Sequence, residues 1–188
     1  MLHPGYRMDG SLTQPAPFWA ALWLGVFFHI CFELADPLGL ATPPGPINME
    51  HALLLLEDDQ VVMTRSYHLF EMFRTPGGAD VPGCTVDAPT CTRRQRPVLH
   101  AFASAAPGGR QVTLSVINLS LSQDTDTRVV FEGLEFESAS SQTLACDDIH
   151  ACNSAASPFA SCLSRCRRFS GTGPSKCVSR GIRQRWCA

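Results

Sequence analysis

Lysine is almost missing from this chain of 188 residues: Lys176 stands alone among 15 basic side chains, and the others are arginines. So strong a bias points to a G+C-rich coding sequence, in which a shifted frame yields mostly Arg, Ala, Pro, Gly, Ser and Cys. Acid is missing from residues 161–188, which hold seven basic side chains (Arg165, Arg167, Arg168, Lys176, Arg180, Arg183 and Arg185) and no Asp or Glu. That basic tail also lacks interleaved aromatics apart from Phe169 and Trp186. Charge alone attracts anions, but without stacking side chains it does not recognise a nucleic acid specifically, so no nucleic-acid partner is expected. No Gly-x-Ser-x-Gly elbow, Gly-x-x-x-x-Gly-Lys loop or His-Glu-x-x-His pair occurs, which excludes the hydrolase, phosphate-binding and zinc-protease chemistries built on them. The apolar run Phe18–Phe32 is too short to cross a bilayer comfortably, so no membrane span is predicted.

The nine cysteines are an odd number in no regular framework, which argues against a disulfide-built secreted fold and for a cytoplasmic rather than a secreted chain. Cys162, Cys166, Cys177 and Cys187 offer four thiolates in the tail, yet their spacing is wider than the tight pairs of zinc sites, so no metal is predicted. A basic, Cys-rich zinc or nucleic-acid-binding protein is an alternative that rests on this tail alone. Two readings fit Phe18–Leu34: a signal-peptide core between Arg7 and Gly39-Leu40-Ala41, or a buried helix, apolar nearly all round and interrupted by His29.

Residues 1–17 read as irregular, with Pro4, Gly5, Gly10, Pro15 and Pro17 as breakers. Ile47–Glu57 reads as a helix capped by Asn48. Val61–Arg74 reads as a strand entry followed by a short helix around Tyr67–Phe73. Residues 75–96 form a Pro- and Gly-rich linker. Residues 97–145 carry short strand patterns at regular spacing: Val98–Ser104, Gln111–Asn118, Arg128–Phe131, Leu134–Phe136 and Gln142–Ala145. Period two turns Val112, Leu114, Val116, Val129, Phe131, Leu134 and Phe136 inward. Residues 154–188 show no apolar alternation and read as a disordered Cys/Arg-rich tail. Asn118-Leu119-Ser120 is a glycosylation sequon.

Two motifs carry a resemblance. Gln142-Thr143-Leu144-Ala145-Cys146-Asp147-Asp148-Ile149-His150-Ala151-Cys152-Asn153 resembles Leu-Thr-x-Asp-Asp-Ile-Asn-Ala-His-Asn of the family 51 α-L-arabinofuranosidases, with His150 and Cys152 replacing Asn and His. Upstream, Thr64-Arg65-Ser66-Tyr67-His68-Leu69-Phe70-Glu71-Met72-Phe73 resembles that family's Thr-Pro-Thr-Tyr-His-Val-Phe-Glu-Met-Tyr. The likeness runs over about residues 18–153 and is weakest over residues 35–46. There Pro37, Pro43, Pro44 and Pro46 interrupt what the family has as its last barrel strand. A local change of reading frame there, and another near residue 160, would produce these departures.

The resemblance implies a mainly β fold: a C-terminal antiparallel β-sandwich (97–153, incomplete), preceded by a helical remnant of a (β/α)₈ barrel (18–74). It also implies a retaining glycosidase that frees terminal α-L-arabinofuranosyl groups from arabinan or arabinoxylan, needs no cofactor and is usually homo-oligomeric. Its two catalytic glutamates lie on barrel strands with no counterpart here, so no catalytic residue is assigned and the chain is expected to be inactive alone. All seven glutamates (Glu33, Glu50, Glu57, Glu71, Glu132, Glu135 and Glu137) read as structural or solvated. A sugar-holding glutamine of the family aligns with Gly45, which leaves Asn48 as a weak substrate-binding candidate. Tyr67, His68, Phe70, Glu71, Asp147, Asp148 and Asn153 form the structural motif, packing the barrel–sandwich junction. A non-catalytic β-sandwich that binds carbohydrate or another protein is the remaining alternative.

Overall fold

A computed structural model describes residues 17–42, 45–49, 51–57, 59–74, 80–91, 96–109, 111–120, 125–132, 138–146, 148–157, 162–165, 169–170 and 176–182. Pro17 opens the first helix, α1 (Phe18–Glu33), from an extended backbone and with no side-chain cap. What fixes α1 is packing: Phe18, Ala21, Gly25 and His29 recur at helical spacing and are buried, with Ala20 and Leu24 beside them. The small residues let the helix approach closely. A Cβ added at Gly25 would stand 2.8 Å from Ile117 Cδ1. The helix closes where the Leu34 N–H reaches the Ile30 carbonyl. No described helix is long and apolar enough to cross a membrane.

A hairpin follows, β1 (Leu54–Glu57) and β2 (Gln60–Met63), with Leu55 opposite Val62. Helix α2 (Arg65–Phe73) starts on Thr64, whose hydroxyl accepts from the Tyr67 N–H. Phe28 of α1 meets Phe70 edge-on at 4.8 Å and Phe73 at 5.3 Å, contacts that bind the two helices together.

The remaining elements are strands: β3 (Thr90–Cys91), β4 (Arg96–Pro97), β5 (Leu99–Ala105), β6 (Val112–Asn118), β7 (Thr125–Val130), β8 (Ser138–Ala139), β9 (Gln142–Ala145), β10 (Cys162–Arg165), β11 (Phe169–Ser170) and β12 (Lys176–Ile182). All pair antiparallel, and among the described residues each ladder has two strands: β3 with β4, β5 with β6, β7 with β12, β8 with β11 and β9 with β10. The structure is thus a set of small antiparallel sheets with two helices. The β5–β6 hairpin turns at Gly108 and Gly109, both at positive φ. Its His100, Phe102 and Ser115 side face α1. Phe18, Leu24, Leu69, Leu144 and Cys146 form the buried centre, where α1, α2 and β9 meet.

Several expectations need correction. Residues 47–57 are not a helix. Ile47 bridges Leu54, Asn48 and His51 adopt positive φ, and the leucines enter β1. In β1 they alternate between faces, Leu55 buried and Leu56 exposed, so a short apolar run did not distinguish strand from helix. The linker 75–96 holds β3 and most of a ladder with β4. Val112, Leu114 and Val116 are half-buried, while Ile117, on the opposite face, is buried under α1. Both faces of the hairpin are covered, so alternation did not reveal which face was deeper. Val129 and Phe131 are half-buried; Leu134 and Phe136 lie outside the described residues.

The tail is not without structure: Cys162–Arg165, Phe169–Ser170 and Lys176–Ile182 pair with β9, β8 and β7. A strand edge with unpaired N–H and C=O groups is closed by any extended segment in register, whatever its side-chain pattern. Phe18, Phe27 and Phe28 have partners within the chain, whereas Trp19 and Trp23 are 45% and 55% exposed.

Candidate functional site

The densest polar constellation surrounds Arg65. Thr64 fixes the start of α2, and Arg65 follows at its first helical position, 1% exposed, with its guanidinium 5.5 Å over the Phe18 ring. Nη1 donates to the Ala151 carbonyl, Nη2 lies 3.9 Å from the Cys146 sulfur, and the Cys152 thiol hydrogen bonds the same side chain. Burial pulls the Arg65 pKa down, and the two thiols pull it back up. The segment after β9 is shaped to hold this group. Asp148 Oδ1 accepts from the His150 N–H at 2.8 Å, the Ala151 N–H reaches the Asp148 carbonyl at 3.1 Å, and Cys146 donates to that same carbonyl.

Two further bonds tie this turn to its neighbours. Asn153 Nδ2 donates to the Met63 carbonyl at 2.9 Å, and the Trp19 N–H donates to the Ile149 carbonyl at 3.1 Å. The turn therefore fastens β2, the start of α2 and the start of α1 to the end of β9.

A second constellation joins α1 to the β5–β6 hairpin. His29 is fully buried; its Nε2 lies 2.8 Å from Ser115 Oγ and its Nδ1 2.9 Å from His100 Nδ1. Phe73 and Phe102 flank the ring at 5.5 and 5.7 Å. Burial first, and His100 second, lower the His29 pKa to about 3. The order Ser115, His29, His100 has the connectivity of a nucleophile, a base and an orienting group. A base with so low a pKa is poorly matched to neutral pH, and a sealed ring admits no substrate. The cluster is a buried polar joint.

Tyr67 and His68 are half-buried on α2, and His68 Nδ1 stands 3.8 Å from Glu71 Oε2. Phe70 packs on Phe28. Asp148 and Asn153 shape the turn described above, and Asp147 lies outside the described residues. Asn48 is not a helix cap: its Oδ1 accepts from the Leu56 N–H at 2.8 Å and its Nδ2 donates back to the Leu56 carbonyl at 3.4 Å. These bonds and its φ of 52° make it a turn residue. Asn48→Ala is expected to cost about 1–2 kcal/mol in denaturant unfolding. Asn48→Gly should restore the part due to φ. At Gly45 an added Cβ would meet Met49 Sδ at 2.5 Å, so a longer side chain there requires the flexible Met49 side chain to move.

The described glutamates, Glu33, Glu57, Glu71 and Glu132, are exposed and spread over α1, β1, α2 and the end of β7, while Glu50, Glu135 and Glu137 lie outside the described residues. No group of three or more His, Cys, Asp or Glu among the described residues could hold a metal ion. The sequon asparagine Asn118 is 2% exposed, its Nδ2 3.5 Å from Thr125 Oγ1 and its Oδ1 holding the Ser120 N–H, so the folded chain hides the amide that glycosylation needs. Sequence reasoning missed Arg65 and His100. The signals were an arginine where the resembled family has proline, and a histidine inside a strand.

The sequence matches the family model of the α-L-arabinofuranosidase C-terminal domain over residues 6–165, further at both ends than the two motifs had suggested. No curated protein matches it. Among solved structures, a GH51 arabinofuranosidase from Xanthomonas axonopodis pv. citri is similar with a TM-score of 0.77 and 25% identity, over 90% of this chain and 35% of that one. An α-L-arabinofuranosidase from Thermotoga maritima, in complex with arabinose, gives 0.77 at 20% identity, over 91% and 38%. A thermostable GH51 enzyme from Thermotoga petrophila gives 0.76 at 20%, over 92% and 40%. The chain thus spans little more than a third of the length of the solved structures that it matches.

Proposed function

Because the chain belongs to the α-L-arabinofuranosidase C-terminal domain family, of the GH51 type, we propose that it acts as the C-terminal module of a retaining arabinofuranosidase. Residues 97–153 would form its β-sandwich and residues 18–74 the last units of the barrel, joined by 75–96, with 1–17 and 154–188 flanking. The observation that carries this reading is the Arg65 joint, which locks the turn after β9 onto both helices. A module that must hold one orientation against a catalytic barrel needs such a joint between its strands and the barrel's own helices. Trp19 and Trp23, exposed on α1, suit a helix with a neighbour still to cover it. The substrate class on this reading is an arabinose-containing glycan, met by the complete enzyme, which would be cytoplasmic and homo-oligomeric.

Among the described residues no two glutamates form a catalytic pair. Retention requires two carboxyl groups about 5 Å apart, in environments that separate their proton affinities. Exposed glutamates scattered over separate elements do not provide this. A free-standing carbohydrate-binding module is less well supported, because the exposed aromatics among the described residues sit on a helix and not on a sheet face. The test is release of an aryl leaving group from an aryl α-L-arabinofuranoside by the purified chain. The expected result is no turnover above background. Turnover that disappears on changing a glutamate of this chain would overturn the assignment.

A further inference from the structure

Two of the chain's thiols converge on one cation. Cys146 ends β9, is 7% exposed and lies 3.9 Å from Arg65 Nη2. Cys152, half-buried at the far end of the turn, hydrogen bonds the same guanidinium. The turn folds back on itself between them, with Cys146 Sγ donating to the Asp148 carbonyl at 3.1 Å and Cys152 Sγ to the His150 carbonyl at 3.4 Å. The Ala151 N–H, one residue before Cys152, and Cys146 Sγ both reach the Asp148 carbonyl, and Arg65 bridges the Ala151 carbonyl to Cys146, so the turn brings its two ends together.

We propose that Cys146 and Cys152 are a redox-responsive pair, oxidised by a peroxide to a disulfide that closes the turn over Arg65. The Cys152 thiolate, the more accessible of the two, attacks the peroxide O–O bond. Its sulfur becomes a sulfenic acid, and the leaving oxygen departs as water when the peroxide is hydrogen peroxide. The Cys146 thiolate then attacks that sulfur. The S–S bond forms, the S–O bond breaks, and the oxygen leaves as a second water with the remaining protons. Two electrons have passed from the thiols to the peroxide. Arg65 lies beside the reacting Cys152 sulfur and offsets part of the cost of charging it in a half-buried site. Burial pushes the Cys152 thiol up while Arg65 draws it down, so oxidation accelerates as pH rises from neutral.

The full chain is treated with hydrogen peroxide, alkylated and digested, and fragment ions locate any link. The expected product is the Cys146–Cys152 link, with the alkylation of both falling by the same factor, at least tenfold. Exposed Cys84 and Cys91 serve as the reference and should stay alkylatable. Cys152→Ser and, separately, Cys146→Ala should each abolish the link; Cys146→Ala should leave Cys152 as a sulfenic acid trapped by dimedone, whereas Cys152→Ser should leave the buried Cys146 unoxidised. A link from either residue to Cys162, or independent oxidation of the two at unequal rates in the parent chain, would overturn the proposal.

Discussion

Arg65→Ala is expected to lower the unfolding free energy by about 3 kcal/mol, read as the loss of denaturant midpoint at unchanged slope. Three contributions add. Truncating a long buried side chain leaves a void among Phe18, Cys146 and Ala151. The Ala151 carbonyl loses a charge-assisted donor, which costs about 1.5–3 kcal/mol. The face of Phe18 loses its cation, worth on the order of 1 kcal/mol when shielded from water. One contribution opposes them, since the variant no longer buries a charge.

Arg65→Met separates these effects. It refills most of the volume, so it should cost less than Arg65→Ala by the cavity contribution alone, and what remains measures the orphaned carbonyl and the lost cation. The amides of residues 148–153 should exchange faster in both variants. If Arg65→Ala unfolds within about 0.5 kcal/mol of the parent, the joint does not hold the turn and the argument for a rigid module loses its main support.

How much of this was legible in the sequence depends on range. Local patterns read well: the apolar run Phe18–Leu34 is α1 to within one residue, and Tyr67–Phe73 lies within α2. The strands β5, β6 and β9 fall where alternation placed them. Failures occurred where distant residues decide. Leu53, Leu54 and Leu56 suit a helix by propensity, yet Asn48 closes a turn on Leu56 across eight residues and makes a hairpin of them.

The tail lacks apolar alternation, but its backbone has open edges of β7, β8 and β9 to pair with. Arg65 looked ordinary because the first position of a helix tolerates any residue whose N–H needs no partner. Its partners lie 81 and 86 residues away and leave no periodic trace. The choice between the two faces of β5–β6 was likewise hidden. Phe102 and Ile117 mark one face and Leu99 and Ala103 the other, and all four are buried.

His29 should make the chain acid-sensitive well above the pH at which carboxylates titrate. The groups facing its ring are Phe73 from α2, His100 and Phe102 from β5 and Ser115 from β6, and His100 is the titratable one among them. In the folded chain His29 stays neutral down to about pH 3. Unfolded, it takes up a proton near its ordinary value of about 6.5. Between those limits the unfolded state binds more protons, so stability is complete above pH 6.5 and falls as pH drops towards 3. Each unit in that window costs at most about 1.4 kcal/mol, so lowering the pH from 6.5 to 5 should remove about 2 kcal/mol.

His29→Gln can keep polar contact with Ser115 without titrating. Its stability at neutral pH should drop by about 1 kcal/mol through imperfect bonding, while the slope between pH 6.5 and 5 should flatten by more than half. Denaturant unfolding of both chains across that range is the measurement. Parallel slopes would mean that His29 takes up its proton in the folded state, which would require the joint between α1 and the hairpin to open to water. Hydrogen exchange at Ser115 and Ile117 would show that opening directly.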